Sequence, residues 1–173
     1  MAIRWPNGGM SRDHYRANGG GWNVDLPIEQ SREIAAALAK LPIAIEVDTG
    51  MGPVGLVHAD TPGDNWRDFT TLLQAGRPDG GRDAMAFDHM VMIAQWSRDR
   101  IDFVDRSQVN GVRAVLVGHT PVKAYTSLGN TRYLDTGGWL PEDRGYPGFT
   151  IVELESLEVA KGLKKAIPPQ FLS

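Results

Sequence analysis

The spacing of apolar residues along the chain predicts two amphipathic helices. In residues 28–41 apolar side chains recur at helical spacing, and Pro42 ends the helix. Residues 83–100 have the same period, with Met92 and Trp96 along one side. Both segments are therefore expected to pack one face against the body of the protein.

Short apolar runs predict six strands. They occupy residues 43–47, 54–59, 113–118, 122–128, 131–136 and 149–154. The link "DTGMGP" predicts that the first two form a hairpin, and the last three are consistent with an antiparallel meander. Residues 1–27 are glycine-rich and expected to be mostly irregular, and residues 60–82 to be loops with a short helix near residues 66–73. The whole pattern predicts a mixed α/β fold with late antiparallel pairing.

Composition excludes several kinds of site. The 173 residues suit one domain, and the net charge of −3 provides no broad basic surface for nucleic acid. No apolar run approaches the length of a membrane span, so no membrane partner is expected. The absence of cysteine excludes disulfides, thiolate metal ligands and a cysteine nucleophile. It is compatible with a reducing cytosol, and we expect a cytoplasmic location.

Two histidines occupy matching places at the ends of apolar strands. His58 ends the run "VGLVHAD", and His119 follows "AVLVG". Ligands in α/β proteins often gather at the carboxyl ends of strands, and neutral imidazole is a common ligand of transition metals. A histidine at a strand end is nevertheless more often structural, so both interpretations stay open. His14 in a polar segment and His89 in mid-helix are expected to be structural or exposed.

An arginine near the end of the second predicted helix adds a candidate phosphate ligand. Arg98 lies in "QWSRDR", and its planar guanidinium matches the geometry of phosphate oxygens. The alternative is a solvated charge that interacts with the helix dipole.

Five short motifs follow one another in the chain. They are "ANGGGW" (17–22), "VHAD" (57–60), "WSR" (96–98), "GHTP" (118–121) and "YLDTGG" (133–138). In this order, over about residues 15–140, they resemble the bacterial and phage-type branch of the metal-dependent serine/threonine phosphoprotein phosphatases. These enzymes belong to the calcineurin-like metallophosphoesterase superfamily.

The resemblance implies a fold, an activity and a role for each matching residue. The fold would be the C-terminal part of a two-sheet metallophosphoesterase sandwich flanked by helices. The reaction would be hydrolysis of a phosphate monoester, on a phosphorylated protein or a small ester, with Mn²⁺ or alternatively Fe or Zn. His58 and His119 match two ligands of the second metal ion, and Arg98 matches a substrate phosphate ligand. Asp60 would orient a neighbouring residue, or it caps a loop; the segment 1–27 would lie at the rim of the site.

The same resemblance predicts an incomplete site. The family motifs "GDxHG", "GDxxDRG" and "GNHE", which carry the other metal ligands and the catalytic histidine, do not occur in the sequence. We therefore expect one incomplete domain over residues 1–173 with a loosely attached tail at 161–173, no catalytic residue, and no activity from this chain by itself. It would be a fragment, a degenerate domain, or a subunit that pairs with a chain carrying the missing half or with its own copies.

Other functions remain open on the sequence alone. A dinucleoside polyphosphate hydrolase shares much of the implied site. A non-catalytic binding domain with the same fold explains the missing motifs directly. The third alternative is a structural α/β domain in which the motifs are coincidental.

Overall fold

The computed structural model describes residues 1–160, so the predicted tail at 161–173 lies outside the described residues. The chain divides into two compact units, Met1–Pro42 and a larger unit that begins at Ile43. Each unit has its own secondary structure and is described by itself below.

The first unit is helical, so the prediction that residues 1–27 are mostly irregular is wrong. Its segments are a 3₁₀ turn (Trp5–Asn7), α1 (Arg12–Tyr15), a π-helical turn (Arg16–Gly20), α2 (Gly21–Val24) and α3 (Ile28–Leu38). Ser11 begins α1 by accepting a hydrogen bond from the backbone of His14. Gly20 serves helix packing, because a Cβ there would overlap the ring of Tyr15.

Helix α3 buries a face that partly overlaps the one its apolar pattern predicts, since Ile34 and Leu38 of that pattern are half-buried. Ser31 and Ala35 are buried, whereas Ile28 and Leu41 at the two ends of the predicted helix are exposed. The Ser31 hydroxyl donates to the side chain of Asn23, 2.7 Å away. A buried polar contact thus holds this face.

The larger unit contains the rest of the secondary structure. Its elements are β1 (Ala44–Val47), β2 (Val54–Val57), α4 (Trp66–Ala75), α5 (Gly81–Trp96), α6 (Asp99–Asp102), β3 (Ala114–Val117), β4 (Thr126–Leu128), β5 (Thr131–Tyr133) and a 3₁₀ turn (Glu142–Arg144). The strands form one five-stranded mixed sheet in the order β1-β2-β3-β5-β4. This confirms the mixed α/β class.

The pairing of the sheet combines two hairpins with a parallel centre. β1 and β2 form the predicted hairpin, and β4 and β5 form a second one. β2 pairs parallel with β3, with Val57 opposite Val117, and β3 pairs parallel with β5. The carboxyl ends of β2, β3 and β5 therefore meet at the same edge of the sheet.

Apolar side chains cover both faces of the central strands. All four residues of β3 are buried, as expected for an interior parallel strand. One face packs against Trp66 and Phe69 of α4 and the buried residues of α5, and the other contacts Leu154 and Leu157. Gly55 in β2 leaves room for the indole, since a Cβ there would lie 2.6 Å from the Trp66 ring.

Three predicted elements need correction. Helix 83–100 ends at Trp96, because Ser97 has extended backbone angles (φ −65°, ψ 145°), and the next helix, α6, is separate. The predicted meander loses its third strand: residues 149–154 make only an isolated bridge between Val152 and Val159. The reason is that Leu154 and Leu157 turn towards a face of the sheet rather than extending its edge. The predicted strand at 122–128 shortens to β4.

No helix among residues 1–160 is long and apolar enough to cross a membrane.

Candidate functional site

The parallel pairing of β2 and β3 brings the two candidate histidines into contact. His58 follows β2 directly, and its carbonyl accepts a hydrogen bond of 2.9 Å from the backbone of Gly118. Nδ1 of His119 lies 3.2 Å from Nε2 of His58. The two rings, 61 residues apart in the chain, thus meet at hydrogen-bonding distance at the carboxyl edge of the sheet, where one neutral ring donates and the other accepts.

The backbone of His119 is strained. Its φ angle of 61° lies in the left-handed region, which non-glycine residues enter at a cost of about 1–3 kcal/mol. The backbone of Thr120 donates to the Gly118 carbonyl at 2.6 Å and closes the tight turn. Strain of this kind concentrates at functional sites, so it favours a functional reading of His119 over a purely structural one.

The end of α5 forms one wall of the site. Trp96, the last residue of the helix, contacts His119 edge-on, with ring centroids 5.5 Å apart and an interplanar angle of 84°. The backbone of Ala59 donates to the Ala94 carbonyl at 2.8 Å and fixes this end of the helix against β2. The Trp96 ring remains 40% exposed and is available to a bound molecule.

Arg98 lies beside the histidine pair, but not in the predicted helix. It stands after the extended residue Ser97 and immediately before α6, and it is exposed. Its positive charge is close enough to His119 to lower the pKa of that imidazole. The structure therefore places the candidate phosphate ligand and the candidate metal ligands in one neighbourhood.

Both imidazoles favour the neutral state. Burial lowers the pKa of His58, and a negative charge at Asp135 partly opposes this shift. Burial also lowers the pKa of His119, which the charges of His58 and Arg98 lower further. Since a metal binds the neutral ring, the pair is ready to act as ligands at neutral pH.

Asp135 is a site residue that sequence reasoning missed. It follows β5, accepts hydrogen bonds from the backbone of Gly137 (3.0 Å) and from Nε1 of Trp139 (3.4 Å), and its charge acts on both histidines. The motif "YLDTGG" contains a carboxylate close after a predicted strand, and this could have identified Asp135 as a candidate. An antiparallel meander does not place this strand end beside the histidines, whereas the observed parallel pairing of β5 with β3 does.

Asp60 points into the protein rather than joining the histidines. Its side chain is 8% exposed, and Oδ1 accepts from Nε of Arg100 at 3.0 Å and from the backbone of Thr61 at 2.7 Å. Burial raises the pKa of Asp60 above its ordinary value, although the hydrogen bond and the charge of Arg100 oppose that rise. Sequence reasoning did not identify Arg100, because nothing local separates it from the exposed Arg98 two residues earlier.

The histidine pair matches part of a metal site. Zinc–nitrogen bonds of about 2.0–2.1 Å place two nitrogens on a tetrahedral ion about 3.3 Å apart, close to the 3.2 Å observed. Within residues 1–160, however, no three His, Asp or Glu side chains are arranged so that they could hold a metal ion. The described residues therefore fit two ligands of an ion, fewer than the three that catalytic zinc normally keeps.

The remaining sequence candidates divide between the two units, His14 and Trp22 in the first and His89 in the larger one. His14 accepts a hydrogen bond from the Asn18 side chain at its carbonyl within the first unit. His89 is exposed on α5, as expected. Trp22, from the "ANGGGW" motif, is 61% exposed, and the position of the segment 1–27 at the rim of the site stays a prediction.

No protein-family model matches this chain.

Proposed function

We propose that this chain contributes part of the site of a metal-dependent phosphate monoester hydrolase of the serine/threonine phosphoprotein phosphatase type. The observation that carries the proposal is the 3.2 Å approach of the two histidine nitrogens at the carboxyl ends of adjacent parallel strands. The exposed guanidinium of Arg98 beside them supplies the expected charge for a phosphate group.

Each residue of the cluster has a distinct role in this proposal. His58 and His119 would hold one divalent ion, Mn²⁺ or alternatively Fe or Zn. When bound, this ion supplies Lewis-acid polarisation of the phosphoryl group. Arg98 binds the phosphate oxygens and orients the ester. Asp135 keeps negative charge near the two rings, which favours a cation at that point.

The proposal includes parts that the described residues do not supply. The two-sheet metallophosphoesterase sandwich goes beyond the single five-stranded sheet of residues 43–160. A third and fourth metal ligand would come from another chain or segment, since residues 1–160 hold no group of three. We therefore expect this chain by itself to bind the metal weakly and to hydrolyse phosphate esters slowly or not at all.

A calorimetric titration with Mn²⁺ and with Zn²⁺ tests the metal ligands. We expect saturable binding that His58→Ala and His119→Ala each weaken at least about tenfold, as loss of a ligand commonly does. His89→Ala is the matched control, because His89 is exposed on α5 and is not assigned as a metal ligand. Absence of binding, or equal loss in the control, would contradict the proposal.

A non-catalytic binding domain is the second candidate, and the two-ligand count specifically favours it. It predicts that inorganic phosphate binds through Arg98 whether or not metal is present. The hydrolase proposal predicts that bound metal strengthens phosphate binding. Isothermal titration of phosphate with and without saturating Zn²⁺ distinguishes the binding domain from the hydrolase. Rapid Mn²⁺-dependent turnover that His119→Ala abolishes would show that the site is complete.

A further inference from the structure

Two backbone hydrogen bonds connect the end of β2 to its neighbours at the candidate site. The carbonyl of His58 accepts from Gly118, which precedes His119, and the backbone of Ala59 donates to the carbonyl of Ala94 near the end of α5. These bonds fix β2 against β3 and α5. Neither reaches the segment that carries Arg98.

The next residue, Asp60, connects β2 to that segment through its side chain. Oδ1 accepts from Nε of Arg100 at 3.0 Å, and Nη1 of the same guanidinium donates to the carbonyl (3.1 Å) and hydroxyl (3.2 Å) of Ser107. The Arg100 side chain is 6% exposed. One buried guanidinium thus bridges the end of β2, the short helix α6 that begins after Arg98, and the chain around Ser107.

An open pocket of about 550 Å³ lies beside this bridge, lined by Asp60 and Thr61 from the β2 side and by Ser97, Arg100 and Phe103 from the α6 side. Side chains do not interdigitate across such a space, so apolar contact does not fix the two segments there. Elsewhere Ile101 of α6 packs against the core cluster that includes Val57 of β2. The ion pair adds a directed polar contact to that packing.

We propose that the buried Asp60–Arg100 ion pair is a positioning device for the candidate site. It holds the turn that carries Arg98 at a defined place relative to His58, so that the phosphate ligand and the metal ligands face the same ester. This inference rests on the function proposed above and deepens it.

A buried ion pair is a costly way to gain stability, since an apolar pair of similar volume is often at least as stable. What charge and fixed geometry provide is a defined direction and distance between two segments. A positioning role therefore explains why Asp60 and Arg100 occupy a place that apolar side chains could fill.

The test reads the histidine rings of the metal-free chain by NMR, with ¹⁵N-labelled imidazoles. In Asp60→Asn, at a temperature where circular dichroism shows a folded protein, we expect the ring signals of His58 and His119 to shift and the cross-peak between the two rings to weaken at least about twofold. The signals of His14 and His89 should stay in place. Unchanged signals of His58 and His119 in the folded variant would overturn the inference, because a merely structural pair lowers stability without moving them.

One control carries the same substitution. Asp88→Asn breaks the exposed pair with Arg77 and should leave the ring signals as in the unmodified protein. If Asp60→Asn does not fold, Arg100→Lys takes its place, because lysine keeps the positive charge and lacks the planar guanidinium. This variant is expected to shift the signals of the same two rings, and unchanged signals would equally overturn the inference.

A double-mutant cycle on inorganic phosphate binding then tests the link to Arg98. We expect Asp60→Asn to weaken phosphate binding about tenfold, and to cause no further loss in an Arg98→Ala background. Equal losses in both backgrounds would contradict action through Arg98. Absence of phosphate binding to the unmodified protein would count against the proposed function, while the ring signals would still decide the positioning role.

Discussion

Two aspartate–arginine pairs among residues 43–160 lie in opposite surroundings. Asp60 and Arg100 meet through one hydrogen bond of 3.0 Å, and their side chains are 8% and 6% exposed. Arg77 and Asp88, beside helix α5, meet through two hydrogen bonds of 2.7 and 2.8 Å, and their side chains are 51% and 55% exposed. The better hydrogen-bond geometry belongs to the exposed pair.

The difference teaches that surroundings, rather than geometry, decide the value of an ion pair. Water and salt screen the exposed pair, and pairs of this kind contribute little to stability. Removing one partner of the buried pair leaves a charge that water cannot reach. The buried pair also bridges segments far apart in the chain, whereas Arg77 and Asp88 are 11 residues apart.

The largest effect is expected for Asp60→Ala. The substitution removes the carboxylate that is hydrogen-bonded to the buried guanidinium of Arg100 and leaves it only the exposed Asp105, 3.6 Å from Nη1. The loss should therefore approach the cost of about 3–5 kcal/mol for breaking a buried pair. Urea unfolding followed by circular dichroism should show the loss as a lower midpoint with an unchanged slope. A loss within experimental error would remove the basis of the comparison.

Next is His119→Gly, which separates stability from ligand chemistry. Glycine adopts the positive φ angle without strain, which stabilises the folded state. Its greater backbone freedom in the unfolded chain offsets part of this gain, so the variant should be about 1 kcal/mol more stable than the unmodified protein. Zn²⁺ binding should weaken at least about tenfold. Thermal unfolding and calorimetry measure the two quantities, and a less stable variant would show that the imidazole contributes packing that outweighs the strain.

A smaller effect is expected from pH. The folded pKa values of His58 and His119 are lowered, so the unfolded chain binds more protons and stability falls as the pH decreases below about 6.5. Urea midpoints at about pH 7.5 and about pH 5.5 should differ more in the unmodified protein than in a His58→Gln, His119→Gln double variant.

The comparison between these two proteins isolates the histidines. The raised pKa of Asp60 acts in the opposite direction, since its contribution is lost as the pH rises, and it cancels in the difference. His89→Gln should keep the original pH dependence. The same dependence in all three proteins would show that the pair does not titrate between the folded and unfolded states.

The smallest effect is expected for Asp88→Asn. Both partners of this pair are open to solvent, so the urea midpoint of the variant should equal that of the unmodified protein within error. Added salt should shift the midpoints of the variant and the unmodified protein equally. A clear destabilisation would mean that bidentate geometry matters more than burial, and the lesson of the comparison would be reversed.

Local patterns predicted part of the fold. The β1–β2 hairpin and the helical character of α3, α4 and most of α5 follow from apolar period and turn residues. The break at Ser97 does not, because residues 97–100 contain no glycine or proline to mark it, and the helix ends where the Trp96 ring meets His119. The helices of residues 1–27 also escaped prediction, since they pack around glycines and polar side chains rather than an apolar stripe.

The candidate site divides in the same way. The sequence by itself identified the candidate residues, because His58, His119 and Arg98 stand where local apolar segments end. Only the tertiary structure decided which of them meet: the parallel pairing of β2, β3 and β5 joins residues 61 positions apart and brings in Asp135. It also turned Asp60 inward to Arg100. Pairing between distant strands and burial of a charge depend on the whole chain, and no local pattern contains them.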